Sequence, residues 1–191
     1  MIPNNIAFYL QKNGYIEEKE LPIYVYGLSA FLNSSLQLAV IFLLGLLSNY
    51  VTETIAFITV FVTTRRFLGG FHANSKAKCM MLDICIWALT THSYIIFWHM
   101  RFSWLVLIEF FISLIVTYRY APVENNRKPL NSTQKRTNRK KGFILICFFT
   151  VVSVVYFNVS ENVSYTIVAT ILCVSIFILA ERWKYAKRKN E

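Results

Sequence analysis

Apolar residues run along this chain in long blocks, with the polar residues gathered between them. Five blocks, residues 27–47, 80–98, 102–118, 143–159 and 163–180, contain no Lys or Arg. A bilayer's hydrocarbon core is about 30 Å thick and a helix rises about 1.5 Å per residue, so a span needs roughly 17–25 mostly apolar residues. All five blocks meet that length. A sixth, 51–64, has only 14 residues before Arg65 and Arg66, about 21 Å as a helix. It spans only if the arginines snorkel or the following loop sits recessed in the membrane. The pattern predicts an all-α, polytopic integral membrane protein with six transmembrane helices.

Charge orients those helices. With both termini inside, the inner segments carry 19 of the 20 Lys and Arg residues, and only Arg101 falls in an outer loop. Cytoplasmic loops concentrate basic residues, so both termini are expected to be cytoplasmic, in the cell membrane. This placement also accounts for the short block, because without it the later basic loops could not share a side with residues 65–78 and the N-terminus. A formal charge of +10 in a chain that is 55% hydrophobic and only 16% charged therefore records topology. It does not indicate a nucleic-acid partner, since soluble domains average about 25% charged residues.

The first 26 residues lack an apolar run followed by a small-residue cleavage site, so no cleavable signal peptide is expected. Ile2, Ile6, Tyr9 and Leu10 follow a helical period, which suits an interfacial helix or a short soluble arm. With no internal repeat and no Pro- or Gly/Ser-rich linker, residues 1–191 read as a single membrane domain. Within it, 1–26 form an N-terminal arm and 119–142 a basic loop facing anionic lipids.

The four cysteines, Cys79, Cys85, Cys147 and Cys173, show no paired spacing, so no disulfide framework is implied. Cys85, Cys147 and Cys173 sit inside apolar blocks and read as packing residues. Cys79 differs. It follows the polar stretch 65–78, in which Gly69 and Gly70 can take backbone angles closed to other residues, and Asn74 or Ser75 can cap the next helix. With Ser75 as cap, Cys79 falls in or beside the first turn, where the helix dipole, Lys76 and Lys78 favour thiolate.

His72 lies seven residues before Cys79, about 10.5 Å along one continuous helix, too far for proton transfer. A chain that folds back at the glycines and straightens after Ser75 can bring the imidazole alongside the thiol, as a base. Arg65 and Arg66 can hold a substrate carboxylate or polarise a carbonyl. One His and one Cys at this spacing suit an incidental thiol equally well. The glycine pair, basic pair, cap and thiol together at a membrane boundary favour a site.

The block RRFLGGFHANSKAKC, residues 65–79, resembles the signature of the AgrB family, the accessory gene regulator membrane cysteine endopeptidases of bacterial quorum sensing. YAPVENNRKPL at 120–130, followed by Arg139-Lys140-Lys141, is similar to that family's basic cytoplasmic loop, and Tyr9-Leu10-Gln11-Lys12 to its N-terminal arm. The resemblance implies Cys79 as nucleophile and His72 as base in a catalytic loop at 65–79, with Arg65 and Gly70 supporting. Arg127 and Lys128 match basic residues of the second loop. It also implies an AgrD-type precursor peptide as substrate, cleaved through an acyl-enzyme thioester and cyclised to a thiolactone or lactone. No metal or other cofactor is needed, and a homodimer is expected.

Asp83, one helical turn beyond Cys79, can orient His72 or pair with an interfacial Arg or Lys; the simple pairing is the preferred reading. His92 and Glu109, on consecutive spans at similar depth, predict a structural contact. Asn33 and Gln37 should face other helices. Six spans with intramembrane polar groups also suit a transporter or peptide exporter, although the chain has no Walker motif and no clear inverted halves.

Overall fold

The computed structural model describes residues 2–70, 75–97, 99, 101–123 and 131–189. His72, Arg127 and Lys128 lie outside the described residues. Among the described residues, regular structure is helical throughout, with no strand. The chain forms two compact units, Met1–Leu44 and Gly45–Glu191.

The first unit contains α1, Ile2–Lys12, where the apolar period of the sequence placed a helix. Gly14 stops it with φ +74°. The Gly14 amide donates to the Gln11 carbonyl and the Tyr15 amide to that of Leu10, both at 3.0 Å, so the last carbonyls of α1 are satisfied by a Schellman turn. After one 3₁₀ turn at Glu18–Glu20, α2 runs through Leu21–Leu47. Pro22 is tolerated in its first turn, where an amide has no intrahelical acceptor. At 27 residues, α2 is about 40 Å long. Its surface residues include Ile23, Phe31, Leu36 and Leu43, and Asn33 and Gln37 are half-buried.

The second unit is built around its last helix. α3 (Val51–Leu68), α4 (Lys76–Thr91), α5 (Ser93–Phe97), α6 (Phe102–Tyr120) and α7 (Ser132–Tyr156) all pack against α8 (Glu161–Lys189). Every residue from 163 to 171 of α8 is buried, as a helix surrounded by others requires. The outer helices bury stripes. On α3 these are Thr54, Phe57, Phe61, Thr64 and Leu68, spaced three and four apart on one face. Small hydroxyl residues let α8 approach its neighbours closely. Thr166, Thr170 and Ser175 return hydrogen bonds to the carbonyls of Asn162, Thr166 and Ile171, so these polar groups are satisfied in an environment without water.

Glu18–Leu47, Phe102–Tyr120 and Glu161–Lys184 are long and apolar enough to cross a bilayer, and the chain is a membrane protein. The block expected as one helix over 80–98 is instead two. α4 begins at Lys76 and ends where His92 turns to φ −96°, ψ 11°, and α5 follows. Side chains there compete for backbone carbonyls: Thr90 Oγ1 donates to Ile86, Thr91 Oγ1 to Trp87, and His92 Nδ1 lies 2.9 Å from the Ala88 oxygen.

The expected contact between His92 and Glu109 gives way to others. The His92 ring lies 4.7 Å from that of Tyr50, whereas Glu109 faces α7, where its Oε2 accepts from Thr150 at 3.2 Å. Two further pairs join helices through polar atoms: Trp87 Nε1 donates to Thr54 at 2.8 Å, and Ser175 Oγ to Ser113 at 2.9 Å.

The two ends of this unit differ in chemistry. One is aromatic, with Phe102 stacked on Phe157 at 4.3 Å and Tyr94 edge-on to Tyr165. The opposite end gathers the C-termini of α3 and α6, the N-terminus of α4 and the early turns of α7. The Val123 amide donates to the Leu68 carbonyl at 3.0 Å, and Arg139 Nε to the Ala121 carbonyl at 2.7 Å. Arg65, Arg66, Lys78, Arg119 and Arg139 all lie toward this second end, and Arg101 toward the aromatic one.

Candidate active site

Cys79 is the fourth residue of α4, half-buried, in the turn that Ser75 caps. Ser75 has extended backbone angles and its Oγ accepts from the Lys78 amide at 3.3 Å. The Ser75 carbonyl accepts from the Cys79 amide at 3.0 Å, closing the first turn around the thiol's own backbone. The cap read from the sequence is therefore present, and it chooses Ser75. All four thiols are free. Cys173 is half-buried, whereas Cys85 and Cys147, read from the sequence as packing residues, are exposed on the surface of the bundle.

One turn beyond Cys79, Asp83 takes the simple pairing. Its Oδ1 lies 3.2 Å from Arg65 Nη1, with both side chains largely buried. The guanidinium is 5.1 Å from the Phe61 ring and 5.7 Å from that of Phe177, so three helices, α3, α4 and α8, converge on it. Desolvation makes such cation–π contacts stronger than surface ones. Phe61 and Phe177 were not legible as site residues, since each is one apolar position among many. Arg66 is exposed, and its guanidinium lies 5.8 Å from the Phe67 ring, which Lys141 Nζ also approaches at 5.3 Å.

Both glycines that end α3 have positive φ, +75° at Gly69 and +150° at Gly70. Their surroundings differ. A Cβ on Gly69 would lie 2.6 Å from the Val123 carbonyl oxygen, whereas one on Gly70 would meet, among the described residues, Phe177 Cβ at 3.5 Å and Arg65 Nε at 4.0 Å. The chain thus leaves α3 beneath the first residues of the α6–α7 connection. Further along α7, Gly142 sits against Leu68 so closely that a methyl there would overlap the leucine.

The structure therefore brings Arg65, Gly70, Cys79 and Asp83 to one end of the bundle, with Arg66 on its surface. Among the described residues, no three His, Cys, Asp or Glu side chains converge as metal ligands would. The arrangement offers a thiol in a helix's first turn at a basic boundary, with a largely buried ion pair one turn further along the helix and a glycine corner at the end of α3.

Comparison with known proteins points the same way. The chain is 28% identical over 168 residues to an AgrB-like protein of Clostridium perfringens (strain SM101 / Type A), covering 82% of this chain and 77% of the relative. It is 26% identical over 144 residues to accessory gene regulator protein B of Staphylococcus lugdunensis, covering 74% and 75%. An AgrB-like protein of Listeria innocua serovar 6a is 23% identical over 131 residues, covering 68% and 60%. No solved structure matches at a significant level. The family model described as Accessory gene regulator B matches residues 3–178, nearly the whole chain, and the chain belongs to that family.

Proposed function

We propose that this protein processes the precursor of a peptide autoinducer in accessory gene regulator quorum sensing, as a membrane cysteine endopeptidase that also cyclises its product. The observation that carries the reading is Cys79 in the capped first turn of α4, at the basic end of the bundle and seven residues after His72. The proposed topology is six spans with both termini cytoplasmic, which puts this end on the inner leaflet. An amphipathic precursor leader lies on that leaflet, and its acidic tail is drawn to Arg66, Arg127 and Lys128. The assembly is a homodimer in contact with anionic lipids.

The Cys79 sulfur attacks a backbone carbonyl of the AgrD-type precursor as His72 takes the thiol proton. The carbon–nitrogen bond breaks, His72 returns the proton to the leaving amine, and the tail departs with its new N-terminus. The N-terminal part remains as a thioester on Cys79. An internal precursor Cys or Ser then attacks that thioester, closes the ring and restores the Cys79 thiol. Thioester exchange is close to isoenergetic, whereas making a thioester from an amide is uphill, so product removal drives the sequence. Exclusion of water favours ring closure over hydrolysis.

The test is mass spectrometry of the protein in vesicles after mixing with its precursor peptide. The expected result is an acyl adduct on the peptide containing Cys79, together with loss of cleavage in Cys79→Ala and His72→Ala proteins that remain inserted. Normal processing by Cys79→Ala would overturn the reading.

A further inference from the structure

We infer that Arg139 is a positioning residue for the thiol site, acting through the backbone of the α6–α7 connection. The inference rests on the processing activity proposed above and adds to it a residue outside the catalytic loop. Arg139 lies on α7 and is half-buried. Its Nε, an atom inside the side chain, donates to the Ala121 carbonyl at 2.7 Å. Ala121 is 1% exposed and ends α6, its amide donating to the Thr117 carbonyl. Two residues on, the Val123 amide donates to the carbonyl of Leu68, the last residue of α3. The Val123 carbonyl then occupies the space that a side chain on Gly69 would fill.

Arg139 thus holds the three-residue backbone segment 121–123 against the point where the chain leaves α3. Two more contacts from the same turn of α7 brace that point: Lys141 over the Phe67 ring and Gly142 against Leu68. Arg139 lies eighteen positions after Ala121, and the intervening segment carries Arg127 and Lys128. The anchor therefore links the loop proposed to attract the acidic tail to the corner at which the chain leaves α3. It assigns to one member of the basic run Arg139-Lys140-Lys141 a task that does not depend on its charge.

That distinction is testable because glutamine carries its amide nitrogen at the same place along the side chain as arginine's Nε. Lysine keeps the charge but puts a methylene there. Arg139→Gln, Arg139→Lys and Arg139→Ala are compared with Arg139 in a background whose other cysteines are replaced. Two readouts are taken in vesicles: kcat and KM for precursor cleavage, and the rate of Cys79 alkylation by iodoacetamide without precursor. A positioning role predicts that Arg139→Gln stays close to the parent. Arg139→Ala loses up to about tenfold in kcat, the upper end of what one ordinary hydrogen bond contributes, its alkylation rate changes, and Arg139→Lys falls between.

The opposite order, with Arg139→Lys retained, Arg139→Gln as poor as Arg139→Ala, the effect in KM and the alkylation rates unchanged, would make Arg139 a substrate-attracting charge and overturn the inference. A Cys79→Ala control separates the two proposals. If it still cleaves, the proposed chemistry fails while the alkylation series still reads the positioning role.

Discussion

Asp83 and Arg65 meet at 3.2 Å across α4 and α3, with the guanidinium also near the rings of Phe61 and Phe177. Cys79 is one turn before Asp83 on the same helix, and Gly70 is five residues after Arg65, so the pair ties together the chain segments before and after residues 71–74. Removing one member of a buried ion pair leaves the other charge without compensation and costs about 3–5 kcal/mol. Arg65→Ala and Asp83→Ala are each expected to lower thermal stability in detergent and to abolish processing. The double variant is expected to be more stable than the sum of the single losses, with a coupling of about 1–3 kcal/mol. Additive losses would show that the two side chains act independently.

The two glycines at the end of α3 make a second prediction. Gly69→Ala meets both a positive φ and the Val123 carbonyl, whereas Gly70→Ala meets a positive φ and, among the described residues, only ordinary van der Waals contact. A non-glycine residue held in a sparsely populated backbone region costs of order 1–3 kcal/mol, and the collision at residue 69 adds to that. Gly69→Ala should therefore be the more destabilising of the two by thermal melting. Nearby, Gly142→Ala should be destabilising because of Leu68, and Leu68→Ala, which opens that space, should restore part of the loss when combined with it. Failure of Leu68→Ala to suppress Gly142→Ala in melting temperature would contradict the packing.

Glu109 is fully buried in α6 and accepts from Thr150 on α7. An ionisable side chain at such a depth has a structural or functional task, and here the observed partner is a hydroxyl. Glu109→Gln keeps the shape and an acceptor for Thr150, so it should leave melting temperature and processing near those of the parent. Glu109→Ala should destabilise, both by leaving a cavity and by stranding Thr150, at about 1–3 kcal/mol for the stranded hydroxyl. If Glu109→Gln loses processing with unchanged stability, the carboxylate has a role beyond packing.

How far the residue order foretold these features depends on the range of the interaction. Long apolar blocks identified where helices lie, and Asn74 or Ser75 before a basic turn marked the cap of α4, of which the structure uses Ser75, because both signals are local. The break at His92 was missed because residues 80–98 are apolar enough to be one helix, and only the competition of Thr90, Thr91 and His92 for carbonyls ends it. Glycine at 69 and 70 was legible as a turn. That Gly69 alone lies under another backbone was not, since Val123 is more than fifty residues away in sequence. Pairing of Asp83 was anticipated in kind, yet the aromatic faces around its partner come from α3 and α8 and carry no mark among so many phenylalanines.

Ser75 offers a test of whether the first turn of α4 matters to the thiol. Its Oγ accepts from the Lys78 amide, and replacing such a cap by alanine costs about 1 kcal/mol of helix stability. That loss is too small to unfold a bundle held together by α8, so Ser75→Ala should insert and melt almost normally. The cost falls on the residues nearest the cap, where fraying exposes amides otherwise held in the turn. Hydrogen exchange at Lys78 and Cys79 should accelerate about fivefold to tenfold in Ser75→Ala, the equivalent of that free energy. Cys79 alkylation should change with it. Ser75→Asp, which keeps an acceptor and places a negative charge at the helix N-terminus, should hold exchange at the parent rate. Because aspartate also sets its charge close to the thiol, alkylation and exchange should part company in that variant alone. If they move together in both variants, order in the turn is what governs the sulfur; if Ser75→Ala leaves exchange untouched, the serine does not hold the turn at all.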